Sequence, residues 1–320
     1  MQILIVKTTS MGDVVHALPA ISDIVQHLPE ARVDWMVERS FQDIPNLHPA
    51  VRRVLPLQWR RWRKSLWRGA TWREMAAFRR SLRSQRYDLV IDMQGLLKSA
   101  LWAAQAIGPR AGYDRHSAWE PVACLSYNAQ AAVAPELHAI ERCRRLAAAH
   151  LGYAMPSTPP RFNLRAPEST WLPQAGRYAV LNPNASVATK LWPQDHWIGL
   201  ARWLRQQSLG VVVMWGSPAE QVRAQQIAAA ADAEVPPFLS IRDAIGVLGL
   251  ARLVVGLDTG FTHLAAALGV ATIGLYRDHD PAQVGITGDG YHRSLGGIGL
   301  TPALAEVIAA VEPTLTVEVL

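Results

Sequence analysis

Residues 253–276, LVVGLDTGFTHLAAALGVATIGLY, restrict the fold more than any other stretch of the chain. Residues 253–257 form a short apolar run, which predicts a buried strand. Asp258-Thr259-Gly260 is polar and carries a glycine, so the chain turns there. Residues 261–268 have apolar side chains at helical spacing, and Gly269 is placed to end that helix. Residues 271–276 predict a second buried strand. The whole is a βαβ unit with a very short first connection. Its Asp-Thr-Gly-Phe-Thr-His loop falls at the carboxyl end of a strand and the amino end of a helix. Ligands bind there in open parallel sheets. Free N–H groups and the helix dipole suit a phosphate or diphosphate. Many such units bind nothing, so this loop alone leaves ligand binding open.

Strand-like and helix-like segments alternate through the rest of the chain. Strands are expected at 2–6, 33–37, 88–92, 178–181 and 211–215. Helices are expected at 14–28, with Pro19 as a kink, and at 96–107, 137–151, 195–207, 218–231 and 241–250. Thr301 and Pro302 read as the N-cap and first residue of a last helix. Residues 152–167, with Pro156, Pro159, Pro160 and Pro167, form the best linker. The expectation is an α/β protein of two Rossmann-like, parallel-sheet domains facing across a cleft. The first covers 1–165 and the second 170–300, with the 301–320 helix packing back towards the first.

Charge divides the chain at the same place. Residues 1–165 carry 23 Lys+Arg against 13 Asp+Glu, whereas residues 166–320 carry 9 against 13. Within residues 52–86 there are 12 basic residues and one acid, Glu74, interleaved with Trp59, Trp62, Trp67 and Trp72. This segment could bind nucleic acid, meet an anionic membrane surface, or be a solvated helix whose tryptophans serve a core. The two cysteines, Cys124 and Cys143, argue against a disulfide scaffold or structural zinc and read as buried small hydrophobes. No run has the roughly 18 apolar residues of a spanning helix.

Several side chains are candidates for chemistry. Asp13 follows the loop after the first strand. It can act as a general base in a cleft, or merely as a first-turn carboxylate whose pKa the helix dipole lowers. Lys190, after the first strand of the second half, can neutralise a diphosphate or be a solvated lysine. Asp278-His279-Asp280 has the form of a D-x-D metal pair, a spacing that arises easily by chance. Gly296-Gly297-Ile298-Gly299 lacks a clear preceding strand and makes a poor dinucleotide fingerprint. No Walker A pattern is present. His263 inside a helix is more often a packing residue than a catalyst.

Taken together, five segments resemble glycosyltransferase family 9. They are KTTSMGDVVHALPAI, VIDMQGLLKSAL, KLWPQDHW, WGSPAE and DTGFTHLAAALG, and the RRWRK run at 60–64 is similar to the family's heptosyltransferase branch. The resemblance covers essentially the whole chain. It implies a GT-B fold and inverting, metal-independent transfer of L-glycero-D-manno-heptose from ADP-heptose. The implied acceptor is the 3-deoxy-octulosonate (Kdo) of Kdo2-lipid A in lipopolysaccharide inner-core synthesis. No cofactor and no nucleic-acid partner are implied. The protein is expected to be a monomer in the cytoplasm, peripheral on the inner membrane. Residue by residue, the resemblance makes Asp13 the base and Lys190 the diphosphate contact. Donor contacts fall on Ser186, Glu220, Asp258, Thr259, Gly260 and His263, and acceptor contacts on Lys7, Ser10, Arg60, Arg61, Arg63 and Lys64. Two segments depart from the pattern: ASVATK at 185–190, and Arg277-Asp278-His279 in place of a usual Gly-Pro-Thr. A heptosyltransferase II, or a later core-sugar transferase, is the alternative within the family. Outside it stands a nucleic-acid-binding α/β protein using residues 52–86, a reading that gives Asp13, Lys190 and Asp258 no role.

Overall fold

A computed structural model describes residues 1–316, and the chain divides into one compact unit ending at Asn163 and a second starting at Leu164. In the first unit the order is β1 (Gln2–Val6), α1 (Met11–His27), β2 (Arg32–Glu38), β3 (Val51–Leu57), α2 (Trp59–Trp62), α3 (Gly69–Arg83), β4 (Leu89–Asp92), α4 (Leu97–Ala103), β5 (Arg110–Tyr113), β6 (Ala129–Ala131) and α5 (Ala139–Leu151). All strands are parallel, in the order β3-β2-β1-β4-β5-β6. This is the doubly wound Rossmann order, and it reverses between β1 and β4. Helices α1 and α5 pack on each other. Another core cluster gathers Trp62, Phe78, Leu82 and Trp102 from α2, α3 and α4 against Leu4, Val6, Met36, Leu55 and Val90 of the strands. Helix α1 runs through Pro19 without interruption.

The second unit contains β7 (Tyr178–Asn182), α6 (Gln194–Gln206), β8 (Gly210–Val213), α7 (Pro218–Ala231), α8 (Ile241–Gly249), β9 (Leu253–Leu257), α9 (Gly260–Ala267), β10 (Ala271–Tyr276), α10 (Pro281–Val284), β11 (His292–Gly296) and α11 (Leu304–Thr316). Its parallel order is β11-β10-β9-β7-β8, the other common doubly wound arrangement, reversing between β7 and β9. Strand alternation builds its two cores. Ala179 and Leu181 of β7 face α6, α7 and α11, while Tyr178 and Val180 face α8 and α9.

Four strands escape the sequence pattern. β3 is the sequence VRRVLPL, whose arginines look wrong for a strand. The buried Asp34 of β2 accepts both Arg52 and Arg53, which makes them compatible with the sheet. β5, β6 and β11 are short and polar or alanine-rich. β11 does precede Gly296-Gly297-Ile298-Gly299, contrary to the sequence expectation. Gly297 and Leu300 close a local bridge, and helix resumes only at Leu304, so no phosphate-cradling turn into a helix forms.

The last helix begins later than expected. It starts at Leu304 rather than Thr301. Thr301 Oγ1 instead accepts from Arg277 Nε, and the Pro302 carbonyl accepts from Trp192 Nε1. Its described residues pack on α6 and β10 of the second unit, burying Val307 and Val311. Residues 317–320 of the expected 301–320 helix lie outside the described residues.

Candidate active site

Both units bring side chains together at the strand order's reversal. In the second, the loop after β7 and the loop after β9 are neighbours, so Lys190 meets Asp258 although 68 residues separate them. Lys190 ends a helical turn, Ala188–Lys190. Its Nζ donates to Asp258 Oδ2 at 2.6 Å and to the Asp258 carbonyl at 3.1 Å. His263 Nε2, from the first turn of α9, lies 3.1 Å from Asp258 Oδ1. His279 Nδ1 lies 2.6 Å from Oδ2. A carboxylate only accepts, so both imidazoles donate to it. Burial opposes ionisation of Asp258. The hydrogen bond and charge of His263, then the bonds from Lys190 and His279, outweigh burial and hold the carboxyl well below the usual carboxylate range.

The backbone of β9 makes this loop compact. A Cβ on Gly256 would come within 2.3 Å of Thr262 Oγ1, which donates to the Leu257 carbonyl. Thr259 is the N-cap of α9, and its Oγ1 accepts from Asn182 Nδ2 at 2.7 Å, tying the β7 and β9 loops together. Gly260 is the first helical residue, so its N–H is free of intrahelical partners. Thr259, Gly260 and His263 therefore surround Asp258 with Lys190. Ser186 stands exposed in the loop before Lys190. Glu220, at the start of α7, accepts from the Gly216 N–H at 2.8 Å. Neither Ser186 nor Glu220 joins the Asp258 cluster among the described hydrogen bonds.

The two carboxylates of the Asp278-His279-Asp280 pattern point to different partners. Asp280 caps α10 by accepting from the Ala282 N–H. Asp278 instead turns inward, where its Oδ2 accepts from Thr189 and its Oδ1 is buried 3.9 Å from Lys190 Nζ. Asp258, Asp278 and His279 thus carry ligand-type atoms within 4.8 Å of one another. The Lys190 ammonium already lies against both carboxylates. His279 is the site member that sequence reading missed. Its departure from Gly-Pro-Thr was the available signal.

In the first unit the loops after β1 and β4 meet. Asp13 is the third residue of α1, and its Oδ2 accepts from the Ser10 N–H at 2.7 Å and Ser10 Oγ at 2.9 Å. Its side chain is 37% exposed, so the carboxylate stays open to solvent. Lys7 is 5% exposed. Its Nζ lies 3.6 Å from Asp13 Oδ1 and donates to the Met93 carbonyl. Gln94 Oε1 accepts from the N–H groups of Thr8 and Thr9. Asp92 in turn accepts from the N–H groups of Gln94 and Gly95, from Ser99 and from Tyr127. Lys98 Nζ donates to Thr9 Oγ1 at 2.6 Å. Burial, then the repulsion of Arg60, pushes its pKa down. Gln94, Asp92 and Lys98 were not foreseen from the sequence. They act through spatial proximity to a loop 85 or more residues away.

The RRWRK run divides by direction. Trp62 is buried in the core and donates to Glu74, whereas Arg60, Arg61, Arg63 and Lys64 are exposed. Arg61 pairs with Glu74, and Arg60 lies over the Phe41 ring. Beyond it Leu66, Trp67 and Trp72 are exposed, Trp67 by 77%. The tryptophans therefore serve both the core and the surface.

The two doubly wound units together have the GT-B fold, as the match to solved glycosyltransferases shows. The structure matches E. coli heptosyltransferase WaaC with ADP at TM-score 0.90 and 40% identity, covering 98% of this chain and 100% of that one. A second structure, E. coli heptosyltransferase WaaC with ADP-2-deoxy-2-fluoro heptose, matches at TM-score 0.87 and 39% identity over 98% of this chain and 99% of that one. The lipopolysaccharide heptosyltransferase 1 of Escherichia coli (strain K12) is 42% identical over 288 residues, 89% of this chain and 90% of that protein. The model of glycosyltransferase family 9 (heptosyltransferase) matches residues 75–306, and the chain belongs to that family.

Proposed function

We propose that this protein transfers L-glycero-D-manno-heptose from ADP-heptose to the Kdo of Kdo2-lipid A in the inner core of lipopolysaccharide. The observation that carries the reading is the Lys190–Asp258–His263 cluster at the β7/β9 reversal. It places a cation beside free N–H groups at a helix start, which suits a leaving diphosphate. A similar protein, WaaC, has been solved with a fluorinated ADP-heptose analogue.

In this reading Asp13 accepts the proton of the Kdo hydroxyl. The hydroxyl oxygen bonds to the anomeric carbon as its bond to the diphosphate breaks, inverting that centre. ADP leaves with its new charge stabilised by Lys190 and the α9 amino end. Asp258 holds heptose hydroxyls, and Ser186 and Glu220 contact the donor. The accessible carboxylate of Asp13 supports its role, since a base has to reach the acceptor. Lys7 and Ser10 fix that carboxylate, and Arg60, Arg61, Arg63 and Lys64 offer cations to a phosphorylated, carboxylated lipid.

No described helix is long and apolar enough to cross a membrane. In this reading the protein is a monomer attached peripherally to the cytoplasmic face of a Gram-negative inner membrane, and exposed Leu66, Trp67 and Trp72 support contact with an anionic surface. The test is ADP release from ADP-heptose in EDTA, with and without vesicles carrying Kdo2-lipid A. Release that requires Kdo2-lipid A is expected. Release only with a heptosylated acceptor moves the chain to heptosyltransferase II or a later core transferase. Release only after divalent metal is restored overturns the metal-independent mechanism.

A further inference from the structure

Asp258 is 8% exposed, and its Oδ2 accepts from two side chains at once, Lys190 and His279, each at 2.6 Å. Only one of the two is needed to satisfy that oxygen. The proposed reaction asks Lys190 to turn towards a diphosphate, and a buried carboxylate that loses its charged partner strongly resists the change. His263 serves the other oxygen, Oδ1, so a donor that stays on Oδ2 is what lets Lys190 leave it.

His279 is placed to be that donor. Its Nδ1 is on the shared oxygen, so Asp258 fixes the proton on that nitrogen, and Asp278 Oδ1 lies 3.5 Å away as a second negative charge. Its side chain is 52% exposed, reaching the cluster from the solvent side, whereas Lys190 is 14% exposed. Asp278 is itself anchored by Thr189, next to Lys190. We propose that His279 is a positioning residue for donor binding. By holding Asp258 Oδ2 it releases Lys190 to the diphosphate of the sugar nucleotide. The inference rests on the donor-site reading given above and assigns a purpose to the Arg277-Asp278-His279 departure.

The same three side chains, Asp258, Asp278 and His279, also have the composition of a cation site. The Lys190 ammonium, 2.6 Å from Asp258 and 3.9 Å from Asp278, supplies that positive charge itself, which favours the positioning role.

The experiment is calorimetric binding of ADP in EDTA, with transfer kinetics, for wild type, His279→Ala and His279→Asn. Asparagine keeps an N–H donor near the position of Nδ1. The alanine variant is expected to raise the ADP Kd and the donor KM about tenfold, the scale of one hydrogen bond to a charged group. Its kcat at saturating donor should stay within about threefold, and asparagine should recover most of the affinity. Equal ADP affinity in wild type and alanine variant overturns the proposal. So does a fall in kcat shared equally by both variants, which marks a loop that has lost its shape. Wild-type affinity that collapses in EDTA and returns with Mn2+ makes His279 a metal ligand instead. Wild type that binds no ADP under any condition overturns the donor-site reading itself, and this inference with it.

Discussion

The two reversal points of the strand order hold their carboxylates in opposite ways. Asp258 in the second unit is buried, with both oxygens occupied by Lys190, His263 and His279. Asp13 in the first is 37% exposed, with Ser10 on one oxygen and Lys7 at 3.6 Å from the other. The same topology therefore yields two chemistries. A saturated, ionised carboxylate can orient neighbours but has little capacity left to take a proton. A half-open one can reach an acceptor and return. The first unit keeps its rigid support a layer further back, where Asp92 and Gln94 hold the loop from beneath.

The sharpest way to break this contrast is Asp13→Asn. If Asp13 is the base, single-turnover rate should fall about 10²- to 10⁴-fold with ADP affinity unchanged. A variant that keeps most of its rate removes Asp13 from that role. Lys190→Ala should lower kcat about 10²- to 10³-fold, the scale of one lost donor at a developing charge, and should also weaken ADP binding. A loss confined to melting temperature would make Lys190 only a structural partner of Asp258.

Gln94→Ala tests the layer beneath Asp13. It leaves two backbone N–H groups without their acceptor, at about 1–3 kcal/mol each. About a tenfold loss in kcat, with an unchanged donor KM, is expected.

The contrast least tied to turnover is a difference in acid response. His48 Nε2 bonds Ser22 of α1 and its Nδ1 accepts from the Ala50 N–H, so the ring is held neutral. Burial pushes its pKa down to about 4 from an ordinary 6.5. The unfolded chain then binds the extra proton first, so the stability from His48 is full above 6.5 and is lost as pH falls towards 4, by roughly 3 kcal/mol. Asp258 is depressed, so its contribution is full above 3.8 and is lost only below that value. Urea unfolding followed from pH 7 to 4 should show a decline that His48→Gln flattens and Asp258→Asn does not.

Much of the fold was legible because its periodicities are strong. β9 and β10 in the opening unit have the expected bounds, as does α7, and the helices around them differ by a few residues at their ends. The Asp13, Lys190 and Asp-Thr-Gly-Phe-Thr-His motifs were visible as loops after strands, and five ordered segments pointed to the family. Strands such as β3 were not legible. The arginines of VRRVLPL become reasonable only when Asp34 on the neighbouring strand is seen to receive them.

By itself, then, the sequence determined the two-unit α/β plan, because burying apolar runs at strand and helix spacing leaves few arrangements. It also marked the residues that begin each functional loop. Tertiary structure decided which loops meet. Strand order is set by long-range pairing, so nothing local says that β7 lies beside β9, or β1 beside β4. That choice puts Lys190 on Asp258, Gln94 under Thr8 and Thr9, and His279 on the far side of a carboxylate the sequence placed 21 residues away. Hydrogen bonds of a few ångströms are fixed by those neighbours, and only folding brings them within reach.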